Sequence, residues 1–91
     1  MPERVSTQVT IVNRLGLHAR PAMTFVDLAT TFQSEIKVAK ADTLVDGKSI
    51  MQMMMLAAAK GATLEISAEG PDADKALAAL KALVESGFDE E

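Results

Sequence analysis

The sequence predicts an α/β (α+β) open-faced sandwich, one sheet covered by helices on a single face, with the element order β-α-β-β-α-β-α. Three observations carry that expectation. Stretches with apolar residues at every second position alternate with stretches in which they recur every three or four residues, so strands and helices follow one another along the chain. The period-two stretches are apolar on one side only, which leaves the other side of the sheet to water. Glycines and short polar clusters fall between these stretches rather than inside them.

Residues 5–12 place Val5, Thr7, Val9 and Ile11 on one face and Ser6, Gln8, Thr10 and Val12 on the other, which makes the first strand; residues 1–4 read as an N-terminal tail. Residues 13–17 are a turn. From Ala19 the period changes: Ala22, Phe25, Val26, Ala29 and Phe32 form a helical stripe that Met23 and Leu28 widen. The β-branched pair Thr30-Thr31 and the polar Gln33-Ser34 end it. Residues 35–40 alternate again with Ile36 and Val38 inward, and residues 43–45 pair back as a hairpin through Ala41-Asp42.

Asp46-Gly47 breaks the chain ahead of Ser49, which stands three residues before Gln52. Ser-x-x-Gln is a capping box, in which the serine hydroxyl takes the third amide of the helix and the glutamine side chain returns to the cap's own N–H. A short helix from Ile50 to Ala58 is expected after it, ended by Lys60-Gly61. Residues 63–68 are the last strand, with Leu64, Ile66 and Ala68 on the covered side. Gly70-Pro71 turns the chain, and Asp72 and Asp74 open a final helix striped by Ala73, Ala76, Leu77, Leu80 and Val84. Gly87 stops it, Phe88 folds back, and residues 89–91 form an acidic tail.

Ninety-one residues suffice for one domain spanning 1–91, with a core that needs no staples. The chain has no cysteine, so it carries neither a disulfide framework nor a thiolate metal site. A net charge of −4 without tryptophan or tyrosine offers no footprint for nucleic acid. No apolar core follows Met1-Pro2-Glu3-Arg4, and the longest apolar run, Met53 to Ala59, is far too short to span a bilayer. A cytoplasmic monomer with protein partners, and with neither cofactor nor metal, is expected.

The stretch Leu15-Gly16-Leu17-His18-Ala19-Arg20-Pro21-Ala22 holds the only histidine. Gly16 permits a tight turn, and Pro21 suits the first turn of a helix, so His18 falls at a helix mouth. Amides there lack carbonyl partners and the peptide dipoles add positive potential, which favours an anion. Arg20 adds a forked cation that matches phosphate oxygens. Neutral imidazole is a nucleophile toward phosphorus and a good leaving group once protonated, so His18 is the candidate acceptor of a phosphoryl group, Arg20 its stabiliser, and Ala19 and Gly16 its backbone cradle.

A Walker A reading of Gly47-Lys48-Ser49 fails, because Asp42 stands where that loop needs its first glycine. Ser49 reads as a cap or as a modified serine. Met51, Met53, Met54 and Met55 crowd one short helix; Met53 with Leu56 or Ala57 reads as core, and Met51 and Met54 as an adaptable outer patch. Chemistry independent of partners has no support, since no second base, metal cluster or nucleotide loop accompanies His18.

Gly16-Leu17-His18-Ala19-Arg20-Pro21-Ala22 resembles the active-site signature of the HPr family, the histidine-containing phosphocarriers of the bacterial phosphotransferase system. Gly47-Lys48-Ser49-Ile50-Met51, Ala59-Lys60-Gly61 and Ala68-Glu69-Gly70 follow in the family's order, so the resemblance covers nearly the whole chain. It implies a four-stranded antiparallel sheet in the order 1-4-2-3 under three helices. It implies a carrier rather than an enzyme, accepting phosphate on Nδ1 of His18 from phosphoenolpyruvate-charged enzyme I and passing it to an enzyme IIA domain. Ser49 matches the serine that an HPr kinase/phosphorylase modifies in some bacteria, and Leu17, Ile50, Met51 and Met54 match the docking surface.

Asn13 to Met23 and Ser86-Gly87-Phe88-Asp89 look like the regulatory nitrogen branch (NPr), whereas Lys48 to Met51 looks like the sugar branch. A docking module that no longer transfers phosphate is the reading from another class, and intact His18 and Arg20 argue against it. Asp27 and Thr30 replace the lysines that many relatives carry on the first helix, which implies a different complementarity to acidic partners.

Overall fold

The computed structural model describes residues 4–88. In chain order the elements are β1 (Arg4–Thr10), α1 (Ala19–Ala29), β2 (Glu35–Lys40), β3 (Thr43–Asp46), α2 (Ile50–Met55), β4 (Thr63–Glu69) and α3 (Ala73–Glu85). The sheet is antiparallel throughout, in the order β1-β4-β2-β3. Arg4 is already in β1, opposite Glu69, so the expected tail is shorter at this end. The acidic tail 89–91 lies outside the described residues.

Register puts the apolar alternates on one side. Val9 lies opposite Leu64, Val38 opposite both Ile66 and Val45, and Ile36 opposite Ala68. Against them pack Ala22, Phe25 and Ala29 of α1, Met53 of α2, and Ala76, Leu80 and Val84 of α3, all buried. Full burial of one such large side chain contributes about 1.5–3 kcal/mol. The opposite face carries Ser6, Gln8, Lys37 and Glu65 and, among the described residues, has no helix over it, as one-sided alternation requires. Among the described residues, no helix is long and apolar enough to cross a membrane.

The first strand stops at Thr10 rather than at residue 12, and two expected helices also differ in extent. α2 ends at Met55 rather than Ala58, because Leu56 caps it and Ala57 turns to a positive φ of 48°. Lys40 reaches from β2 to donate to the carbonyls of Leu56 (3.1 Å) and Ala57 (3.4 Å), serving acceptors that lie past the last helical turn. α1 ends at Ala29, capped by Thr30, which leaves Phe32 half-buried in the following loop. At the other end of the chain Phe88 folds back as expected: it is buried and its N–H donates to Leu83 O at 2.9 Å.

Asp72 is the N-cap of α3, yet its side chain does not cap that helix. It accepts instead from the backbone N–H groups of Gln33 and Ser34, both at 2.9 Å, and from the Ser34 hydroxyl, tying α3 to the loop after α1. The Ser34 hydroxyl first, then the Gln33 amide, hold the Asp72 carboxyl below its ordinary 3.8. A folded-state pKa lower than the unfolded one stabilises the fold above the ordinary value, and that contribution is lost as pH falls from 3.8 through the folded value. Asp72→Asn is therefore expected to flatten the acid limb of the stability curve below about pH 4. Urea midpoints of parent and variant across pH 2–6 check it; parallel curves through that window count against the linkage.

Candidate functional site

His18 is the N-cap of α1, with extended backbone (φ −83°, ψ −172°), and is half-buried. Its side chain forms no cap hydrogen bond. Its carbonyl accepts from Ala22 N–H at 3.0 Å, closing the first helical turn, while its own N–H donates to Gly16 O at 3.0 Å. Pro21 sits at the third helical position and has no N–H. The amides of Ala19 and Arg20 are thus the ones this helix start offers to an anion, in line with the axis dipole. Arg20 is exposed on the same first turn, and no ion pair holds its guanidinium among the described residues.

The turn beneath His18 is built by contacts remote in sequence. Gly16 has φ +71° and is buried; a Cβ there would lie 2.6 Å from Ala58 O and 2.9 Å from Ala59 Cα. Leu17 N–H donates to that same Ala58 carbonyl at 2.8 Å. Asn13 is buried and donates from Nδ2 to Gly16 O at 2.7 Å, and Gly16 N–H donates to Asn13 O at 3.1 Å. The segment after α2, bent by Ala57 and held by Lys40, is therefore the seat on which the His18 turn rests. Asn13, Lys40 and Ala58 are functional-site supports that sequence reasoning missed. Only Asn13, a turn former next to a glycine motif, carried a local signal.

Two expected site residues change role. Gly16 is not part of a phosphate cradle: its N–H is taken by Asn13 O, its carbonyl accepts from Asn13 and His18, and it shapes the turn. Leu17 is not a docking residue, because it is 5% exposed and belongs to the core. Ile50, Met51 and Met54 do lie at the surface, at 36%, 79% and 41% exposure. Met55, at 70%, belongs with them and was not anticipated, while Met53 and Leu56 are core as expected and Ala57 is exposed.

Ser49 is the N-cap of α2 and its Oγ accepts from Gln52 N–H at 3.2 Å, the expected first half of a capping box. The reciprocal half goes elsewhere. Gln52 Oε1 accepts from Asp46 N–H at 2.9 Å rather than from Ser49, whose own N–H donates to Asp46 O. Lys48 Nζ donates to Phe32 O at 2.7 Å, pinning this loop to the one that follows α1. Ser49→Ala is expected to cost about 0.5–2 kcal/mol and Ser49→Asp less, since aspartate also caps and its charge suits a helix start. Equal urea midpoints for parent and Ser49→Ala would show that the hydroxyl does not cap in solution. Among the described residues, no group of three or more His, Asp or Glu converges to hold a metal ion.

Comparison with known proteins agrees with this geometry. The family model for the PTS HPr component phosphorylation site matches residues 5–86. The phosphocarrier protein HPr of Pseudomonas aeruginosa is 48% identical over 84 residues, covering 91% of this chain and 93% of the relative. The phosphocarrier protein NPr of Escherichia coli is 42% identical over 88 residues, covering 96% and 98%. The crystal structure of an HPr from Thermoanaerobacter tengcongensis superposes with a TM-score of 0.92 at 45% identity, over 96% of this chain and 98% of that one.

Proposed function

The chain belongs to the HPr family, the phosphocarriers of the bacterial phosphotransferase system, and on that premise we propose that His18 Nδ1 is the atom that carries the phosphoryl group. Family membership makes it a carrier in a phosphorelay rather than a catalyst. The observation that supports His18 is its place as the N-cap of α1, beside two helix-start amides and the exposed Arg20. Phosphoenolpyruvate-charged enzyme I is the donor and an enzyme IIA domain the acceptor, in the cytoplasm, with the carrier acting as a monomer. The imidazole lone pair displaces the donor's histidine at phosphorus; Ala19 and Arg20 amides and the Arg20 fork hold oxygens that bear charge during transfer.

Replacing Arg20 with alanine is expected to slow transfer by roughly one to three orders of magnitude, about 1.4–4 kcal/mol of barrier. Arg20→Lys recovers only part, because the ammonium lacks the fork. Quench-flow transfer from charged enzyme I measures both, and unchanged rates would remove Arg20 from the site.

The same exposed stripe of α2, with Ile50, Met51 and Met54, is the docking face, and Met55 extends it. Modification of Ser49 by an HPr kinase/phosphorylase would place a dianion at the start of this face, where it is compatible with the helix end and hostile to acidic partners. The nitrogen branch is the second reading, favoured by Asn13 to Met23. Transfer rates with enzyme I of the sugar branch and with its nitrogen-branch counterpart decide between them.

A further inference from the structure

Met51, Met54 and Met55 are spaced i, i+3 and i+4, so they share one face of α2, with exposures of 79%, 41% and 70%. Met53, in the same helix, points into the core and is fully buried. The chain has no cysteine, so its methionine thioethers are the sulfurs an oxidant meets. Just past the stripe, Ala58 O holds Leu17 N–H and α2 packs on α1, which places this face beside the His18 turn.

We propose that this stripe is an oxidative modification site, a peroxide-sensitive face whose conversion to methionine sulfoxide switches off partner docking and hence phosphoryl transfer. It rests on the reading that α2 is a docking face. A thioether lone pair attacks one peroxide oxygen; the S–O bond forms as the O–O bond breaks, and the departing hydroxide takes a proton to become water. Sulfur loses two electrons and peroxide gains them, so sulfide and hydrogen peroxide give sulfoxide and water. Each product replaces a soft apolar contact with a strongly polarised S–O group, which an apolar partner surface cannot bury without leaving the oxygen unpaired. Met51 and Met55 react without any opening of the fold, and Met53 cannot.

The test treats the folded protein with hydrogen peroxide, removes the oxidant, and maps sulfoxides by peptide mass spectrometry. Met51 and Met55 are expected to oxidise first, Met54 more slowly, and Met53 only after denaturant is added. Transfer from charged enzyme I is then expected to fall by about fivefold or more, as when several apolar anchors of an interface are lost. Methionine sulfoxide reductase with dithiothreitol restores it. In the variant Met51→Leu, Met54→Leu, Met55→Leu, the ratio of rates after and before peroxide is expected to be near one, whatever its starting rate. A variant that still loses rate places the sensitive sulfur elsewhere, such as the exposed Met23, and overturns the proposal. So does oxidised parent protein that transfers as fast as reduced, or Met53 reacting as fast as Met51. A reduced parent that takes up no phosphate would instead overturn the carrier reading itself, so the two failures are distinct.

Discussion

With alanine in place of His18, the protein is expected to fold as before and to take up no phosphoryl group from charged enzyme I. The His18 side chain is half-buried and makes no cap hydrogen bond, whereas the interactions that begin α1 run through its backbone: its carbonyl to Ala22 and its N–H to Gly16. Alanine keeps both. A stability change within about 1 kcal/mol is expected, against complete loss of acceptor chemistry. Intact-mass spectrometry after incubation with enzyme I and phosphoenolpyruvate reads the transfer, and circular dichroism reads the fold. An acid-labile, base-stable phosphate on the variant would mean that another residue is the acceptor.

Gly16→Ala is expected to be the most damaging single methyl in this region. The new Cβ brings two independent costs, a left-handed backbone at φ +71° and a 2.6 Å approach to the Ala58 carbonyl, which Leu17 already holds. Backbone strain of about 1–2 kcal/mol and overpacking of about 1–3 kcal/mol sum to roughly 2–5 kcal/mol, a large share of the 5–15 kcal/mol typical of a domain. Gly61 supplies the control: its φ is +93°, but a Cβ there meets nothing within 4 Å, so Gly61→Ala carries only the strain. Urea unfolding is expected to show Gly16→Ala less stable than Gly61→Ala. Transfer corrected for the unfolded fraction is expected to fall for Gly16→Ala alone, since only there does the His18 turn leave its seat. Equal losses for the two variants would mean that the contact with Ala58 yields without cost.

Local chemistry made much of this molecule legible. Alternation at Val9, Ile36, Val38, Leu64 and Ile66 identifies the covered face of the sheet because a strand's side chains can only alternate. It says nothing about which strand lies next to which, and the order β1-β4-β2-β3 was available only through the resemblance. His18 at the mouth of α1 followed from Gly16 and Pro21, residues whose backbone limits act where they stand. Its support did not, since Gly16 meets Ala58 through chain folding, with no trace in the motif. Likewise Leu56, Ala57 and Ala58 have ample helix propensity, yet α2 stops short of them: Ala57 turns to a positive φ of 48° and the Ala58 carbonyl accepts from Leu17 N–H, a contact made only by chain folding. Leu17 misled for the opposite reason. A residue next to a histidine at a helix mouth looks exposed, but the γ-like turn that joins Gly16 O to His18 N–H rolls it inward.

The sheet order also governs when in the life of the chain the site comes into being. β1 is synthesised first, yet its strand partner is β4, with Arg4 opposite Glu69 and Thr10 opposite Thr63, and β2 too has β4 on one side. Until residues 63–69 leave the ribosome, β1 has no neighbour and the only hairpin that can close is β2 with β3. Contacts of such long sequence separation slow folding, because the loop entropy is lost before pairing returns it. The nascent chain thus exposes His18 and Arg20 before it has a sheet to mount them on. A fully mounted His18 turn is therefore a property of the finished polypeptide and not of its growing form.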